Sequence, residues 1–294
     1  MRSWWRCLFL TVISLCLIFV QSAPAGQRVF MWKVSSQQAT AYILGTIHMM
    51  KADAYPLDSR IEGAFKRADA YALEFNIDDI AKMNMDSMVS DVSYAGDDTI
   101  RSHISKETYD TLQKRLTEYG YPVELMVKFR PWFLAVLLET FEYQKLGLNP
   151  EYGIDKYFLR KAEGSKQIVE LESFNLQMDL FRKMLDSEQA LFLDYTLRGI
   201  NDMGSEVDAL MKVWTNGDKK QMEDMVFNPL NKDKRLTSIF EKLYFERNRG
   251  MASKIVEMLS GKGTYFIAVG AGHLVGKRGI LELLAQRGYT VYQQ

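Results

Sequence analysis

The chain has 294 residues, 47% hydrophobic and 25% charged, a balance that excludes a disordered or fibrous protein. Lys and Arg number 37 against 37 Asp and Glu, with no basic stripe or charge run, which argues against nucleic acid or an anionic membrane surface as partner. Six prolines in no Pro/Gly/Ser-rich stretch leave no linker, and one domain is expected rather than two.

Arg2 and Arg6 precede an apolar run over 8–20, and small residues stand at Ala23 and Ala25. This is the pattern of a secretory signal cleaved after Ala25, so residues 26–294 are expected in the periplasm or outside the cell. Both cysteines, Cys7 and Cys16, lie in the leader, and the remainder has no disulfide and no thiolate ligand. The longest later greasy stretch, 131–138, ends at Glu139 and is too short to cross a bilayer. It reads as a buried helix.

Residues 41–45 read as a buried strand. A helix follows with Leu57, Ile61, Phe65 and Ala68 at helical spacing, then a second strand over 69–76. Such a unit places its two strands parallel in one sheet. Ser105 caps a helix carrying Leu112 and Leu116, and further helices are expected over 131–145 and 155–162. Residues 167–172 read as a strand, and 176–259 as a long helical stretch. The plan of the first unit then returns: a strand over 264–270, a helix with Ile280, Leu283 and Leu284 stopped by Gly288, and a closing strand over 289–292. The expected fold is α/β, one pseudo-symmetric domain of two halves. Its central sheet is fed by strands from both chain ends, with a large helical insertion.

Of three histidines, two stand in the same setting, Gly45-Thr-Ile-His48 and Gly270-Ala-Gly-His273, each directly after an apolar strand. An imidazole just beyond a strand's carboxyl end projects into the crevice where open α/β sheets hold ligands. His103 has no such strand before it and is expected in solvent.

Glu74 lies in a strand apolar on both sides of it and shares a small-residue face with Ala70 and Ala72. A buried carboxylate there needs a cation, a metal or a proton. Glu172 sits in a matching Leu-Glu, with Glu170 on the same face by period two; it fits either a site acid or an ion pair with an arginine. His48, Glu74 and His273 together are a competent divalent-metal set, in which the metal activates water. Without metal, the same groups serve as a histidine base beside a glutamate, and sequence does not separate the two mechanisms. Arg247 fits an oxyanion or substrate-carboxylate contact, and equally a counter-ion for a buried acid. No Gly-x-Ser-x-Gly, His-Glu-x-x-His or phosphate loop is present.

At these residues the chain resembles the TraB/GumN family, whose eukaryotic relatives include the Tiki proteases. The marks are Leu-Gly-Thr-Ile-His48, Leu-Glu74, Tyr-Gly-Ile-Asp155, Glu-Leu-Glu172 with Gln177, Glu-Arg-Asn248 and Val-Gly-Ala-Gly-His-Leu-Val-Gly276, over about Phe30 to Tyr292. The resemblance implies a pseudo-symmetric α/β fold and a site around both Gly-x-x-His elements. It implies a metal-dependent peptidase acting on a peptide or small acyl substrate, with Mn²⁺, Co²⁺ or Zn²⁺ held by His48, Glu74 and His273. Glu172 is then an acid behind the ligands, and Arg247 and Asn248 contact substrate or oxyanion. Two alternatives accompany this reading: a binding protein that sequesters a peptide signal or haem, and a metal-independent esterase-like hydrolase.

Overall fold

The computed structural model describes residues 28–76 and 85–294; the leader expected over 1–25 lies outside them. Six strands form one sheet: β1 (Met31–Ser35), β2 (Ala39–Thr46), β3 (Ala70–Leu73), β4 (Gln167–Glu170), β5 (Gly263–Gly270) and β6 (Val291–Gln293). Their order is β4-β3-β5-β2-β1-β6. β2 and β3 are parallel, as the first unit implies, and β5 lies between them, parallel to both. β1 is antiparallel to β2, and β6 to β1. Strands from both ends of the chain and from its middle therefore share one sheet. The two strand–loop–helix–strand units run outward from its centre in opposite directions.

The helices are α1 (Ser59–Arg67), α2 (Met85–Val92), α3 (Lys106–Glu118), α4 (Pro131–Lys145), α5 (Ile154–Ala162), α6 (Phe174–Arg182), α7 (Asp186–Gly199), α8 (Met203–Thr215), α9 (Lys219–Lys232), α10 (Thr237–Phe240), α11 (Arg247–Ser260), α12 (Ala271–Leu274) and α13 (Ile280–Gln286). Local chemistry sets several of their starts. Asp58 accepts the Arg60 N–H, Ser105 the Thr108 N–H and Ser173 the Leu176 N–H, each satisfying an amide that the first helical turn leaves unpaired. Among the described residues no helix is long and apolar enough to cross a membrane. The greasy stretch beginning at Pro131 is α4, with Trp132, Leu134, Ala135 and Leu138 buried.

Against the sheet, Phe65 of α1 and Phe158 of α5 meet Phe266 of β5, with centroids 4.7–5.4 Å apart. Fully burying such a side chain contributes about 1.5–3 kcal/mol. α11 and α13 pack together, and α11 also packs against β2. A second cluster unites α3, α4, α7 and α8 through Leu116, Leu138, Leu193 and Val207. A third gathers Trp132, Met178, Met184 and Ile239. The middle of the chain is thus a set of helical layers with cores of their own. The sheet presents the carboxyl ends of β2, β3 and β5 side by side.

Candidate active site

β2 and β5 are paired in register, with Thr46 opposite Gly270. Each Gly-x-x-His element leaves the sheet at the same level. His273 then lies on the single turn α12 and is buried, whereas His48 sits in the loop two residues past β2 with its side chain 61% exposed. Glu74 follows directly on the end of β3 and is buried.

These three side chains converge on Gly270. A Cβ built there would lie 3.1 Å from His48 Nε2, 3.3 Å from Glu74 Oε1 and 3.4 Å from His273 Cδ2. The position takes glycine because any side chain would occupy the space the three groups share. Glu74 Oε1 also accepts the Gly270 N–H at 2.7 Å and lies 3.8 Å from His273 Nε2.

Each imidazole is held by its other nitrogen. His48 Nδ1 is 2.7 Å from Asp155 Oδ2, and a carboxylate only accepts, so Nδ1 carries the proton. His273 Nδ1 lies 2.6 Å from Asn248 Oδ1. The Asn248 amide is fixed in that sense because its Nδ2 donates to the Arg278 carbonyl at 2.9 Å. His48 therefore presents Nε2 to the Gly270 point, and His273 its Cδ2–Nε2 edge, with Nε2 facing Glu74 Oε1.

Arg247, at the start of α11, follows a π-helical turn over Glu241–Glu246, a local widening that recurs at functional sites. Tyr244 of that turn packs on the His273 ring, with centroids 5.2 Å apart. The Arg247 guanidinium joins two buried acids. Nε donates to Glu172 Oε2 at 2.9 Å and Nη2 to Glu74 Oε2, while Nη1 donates to the Leu243 carbonyl. Gln177 Nε2 donates to Glu172 at 3.1 Å and to Glu74 at 3.3 Å.

Charge follows from this packing. Burial pushes the Glu74 carboxyl up, but Arg247, the His48 imidazolium and the Gly270 N–H hold it well below the usual carboxylate range. Burial and Arg247 together lower His273 to about 3, so it is neutral near pH 7. The Asp155 carboxylate raises His48 to about 9 against the partial desolvation by neighbouring protein, which makes it an imidazolium near pH 7. A proton acceptor and a proton donor thus flank one point, with a carboxylate between them.

The structure revises several expected roles. Asn248 is fully buried, with both amide ends committed inside the protein, so it orients His273 where a substrate contact was expected. Glu172 and Arg247 are likewise engaged with each other and with Glu74. Arg247 is the counter-ion of both acids, the ion-pair alternative that the sequence leaves open for it and for Glu172. Glu170, expected to share the face of Glu172, accepts the Asn76 N–H. The expected metal set is assembled only in part. Both Nε2 edges suit a cation, but Glu74 has Oε1 on Gly270 and Oε2 on Arg247 and Gln177. Among the described residues no three His, Cys, Asp or Glu side chains are placed to hold a metal ion. His103 lies far along the fold between Asp98 and Asp186, only 17% exposed, not in open solvent. Asp155, which the sequence offers only within Tyr-Gly-Ile-Asp155, joins the site from the N-terminal turn of α5.

The chain is 29% identical to the uncharacterized protein YbaP of Escherichia coli (strain K12) over 247 residues, 83% of this chain and 87% of that one. It is 24% identical to a metalloprotease TIKI homolog of Amphimedon queenslandica over 187 residues, 56% of this chain and 37% of that one. An 84-residue stretch, 26% of this chain and 16% of the other, is 31% identical to the metalloprotease TIKI2 of Danio rerio. No solved structure matches. The TraB/PrgY/gumN family matches residues 30–293, nearly the whole of the described fold, and the chain belongs to that family.

Proposed function

We propose that the protein is an exported hydrolase that cleaves a peptide or other acyl bond where His48, Glu74 and His273 meet. One observation carries this reading: two imidazole edges and a carboxylate surround a single point that Gly270 leaves open. The neutral Nε2 of His273 takes the proton of an attacking water, and the His48 imidazolium returns a proton to the leaving group. Glu74, held ionised by Arg247, supplies the negative field that favours a proton on His273 as the water is deprotonated. Export rests on the leader expected over 1–25, and the choice of a peptide on the two relatives named metalloproteases.

A metal-assisted version is favoured by one feature, the occupation of both Nδ1 atoms, which leaves Nε2 free as in histidines that ligate metals. A divalent cation such as Mn²⁺, Co²⁺ or Zn²⁺ would take the two Nε2 atoms and supply Lewis acidity to the bond being cleaved.

The test is a degenerate decapeptide library and a p-nitrophenyl ester offered to the purified protein, with chelator and with each of the three metals added. Turnover that disappears in both His48→Ala and His273→Ala is the expected result. Full turnover in both variants refutes the assignment. Binding of peptide or haem without turnover, the latter visible by absorbance, would replace a hydrolase with a sequestering protein.

A further inference from the structure

We propose that Asp155 is a positioning residue that dictates which edge of His48 works, and that Thr46 fixes the sense in which it does so. The inference rests on the hydrolase reading for its kinetic consequence, though not for the proton placement itself.

His48 lies beyond its strand with most of its ring exposed, and packing alone does little to orient it. The segment just before α5 does that work. Met50 and Asn149 exchange backbone hydrogen bonds, and the Ile154 N–H donates to the Ile47 carbonyl at 3.0 Å. Gly153 lies so close that a Cβ there would be 2.3 Å from the His48 carbonyl oxygen. The backbone on both sides of His48 is thus clamped by residues about a hundred positions away.

Asp155 completes the clamp at the side chain. Oδ2 accepts from His48 Nδ1, and Oδ1 accepts from the Thr46 hydroxyl at 2.6 Å. Because both oxygens only accept, Nδ1 must carry a hydrogen whatever the charge on the ring, and Nε2 is left as the working atom. Asn248 achieves the same for His273 with an amide, but only because the Arg278 carbonyl takes its N–H. At Asp155 the corresponding neighbour is a hydroxyl donor. In the Asp155→Asn variant the amide oxygen stays with Thr46, and the amide NH₂ turns to His48 Nδ1. The opposite rotamer strands the Thr46 hydroxyl hydrogen in a site only 2% exposed. The ring then accepts at Nδ1 and is a neutral imidazole protonated at Nε2 alone, whereas the native ring always carries a proton on Nδ1.

Ring ¹⁵N NMR of His48 reads this directly. The native protein is expected to show a protonated Nδ1 near pH 7, and Asp155→Asn an unprotonated one. kcat should fall at least ~10-fold with KM nearly unchanged, as for the loss of an orienting partner. Adding Thr46→Val removes the bias and should restore part of both the Nδ1-protonated form and kcat, which a merely structural role for Asp155 does not predict. Nδ1 still protonated in Asp155→Asn overturns the proposal. So does a ring without the Nδ1 proton but with unchanged kcat, or a double variant no better than the single one. If Asp155→Asn does not fold, the double variant is compared with Asp155→Ala by the same NMR measurement; equal Nδ1 protonation in the two overturns the proposal. A native protein that hydrolyses nothing refutes the hydrolase reading, while the ¹⁵N result still decides the proton placement.

Discussion

His103 and the two histidines of the site are the same residue in opposite circumstances. In the helical layers, His103 stacks on Tyr94 at 4.2 Å and places Nε2 2.8 Å from Asp98 and Nδ1 2.9 Å from Asp186. Both of its nitrogens are satisfied, and it ties the stretch before α3 to the start of α7. At the carboxyl edge of the sheet, His48 and His273 have one nitrogen held by a side chain each and turn the opposite edge of the ring to a shared point beside Glu74. A ring with two partners is a fastener, and a ring with one is an instrument. The environment of the second nitrogen, rather than burial, separates them, since His103 is better buried than His48.

That contrast is most exposed to failure at His48. His48→Ala should lower kcat/KM by roughly 10²–10⁴-fold, the span for loss of an acid–base group. Its unfolding free energy should fall near pH 7, where the Asp155-paired imidazolium favours the folded state, and approach the native value as pH rises through about 9. Kinetics on the best library substrate and a urea titration check both halves. Next is the support behind the site: Arg247→Met leaves two buried carboxylates unpaired and should cost about 3–5 kcal/mol, read as an earlier urea midpoint. Gly270→Ala should spare stability but lower kcat/KM roughly 10²-fold, since the methyl displaces the groups that meet there.

The smallest effect is at the fastener. Burial lowers the proton affinity of His103, but its two carboxylates outweigh that and raise it above its ordinary value. Its contribution is therefore full below the unfolded histidine value and is lost as pH rises through the raised folded value. Comparing native protein with His103→Ala, the stability difference should be about 1 kcal/mol near pH 6 and shrink at higher pH. kcat/KM should be the same in both wherever both are folded. Chemical denaturation across pH, with activity at each point, decides it.

The strands and helices flanking the site could be read from the chain because apolar runs, helical spacing and Gly288 marked them locally. β1 could not. Its five residues join β2 through Ser36 to Gln38, where the turn is made by the Ser36 hydroxyl accepting the Ala39 N–H rather than by Gly or Asn-Gly. Of the site, the paired Gly-x-x-His elements stood out because the same short pattern followed two strands. Partnerships across long stretches of chain did not. Asp155 lies 107 positions from His48, and Arg247 lies 173 from Glu74, so only the folded backbone shows which acid meets which base. The same distance hid His103, whose second carboxylate is 83 residues away.

Among the described strands β5 alone touches both β2 and β3, and it is synthesised after helices α1 to α11. Until it is made, the nascent polypeptide can offer a β1–β2 hairpin and a β3–β4 pair with nothing to bridge them. The three side chains therefore come together in one step, late, when the central ladder closes and delivers His273 and the Gly270 N–H. A ribosome-bound or prematurely terminated product lacking that ladder carries His48 and Glu74 without the neighbours that the finished sheet places beside them.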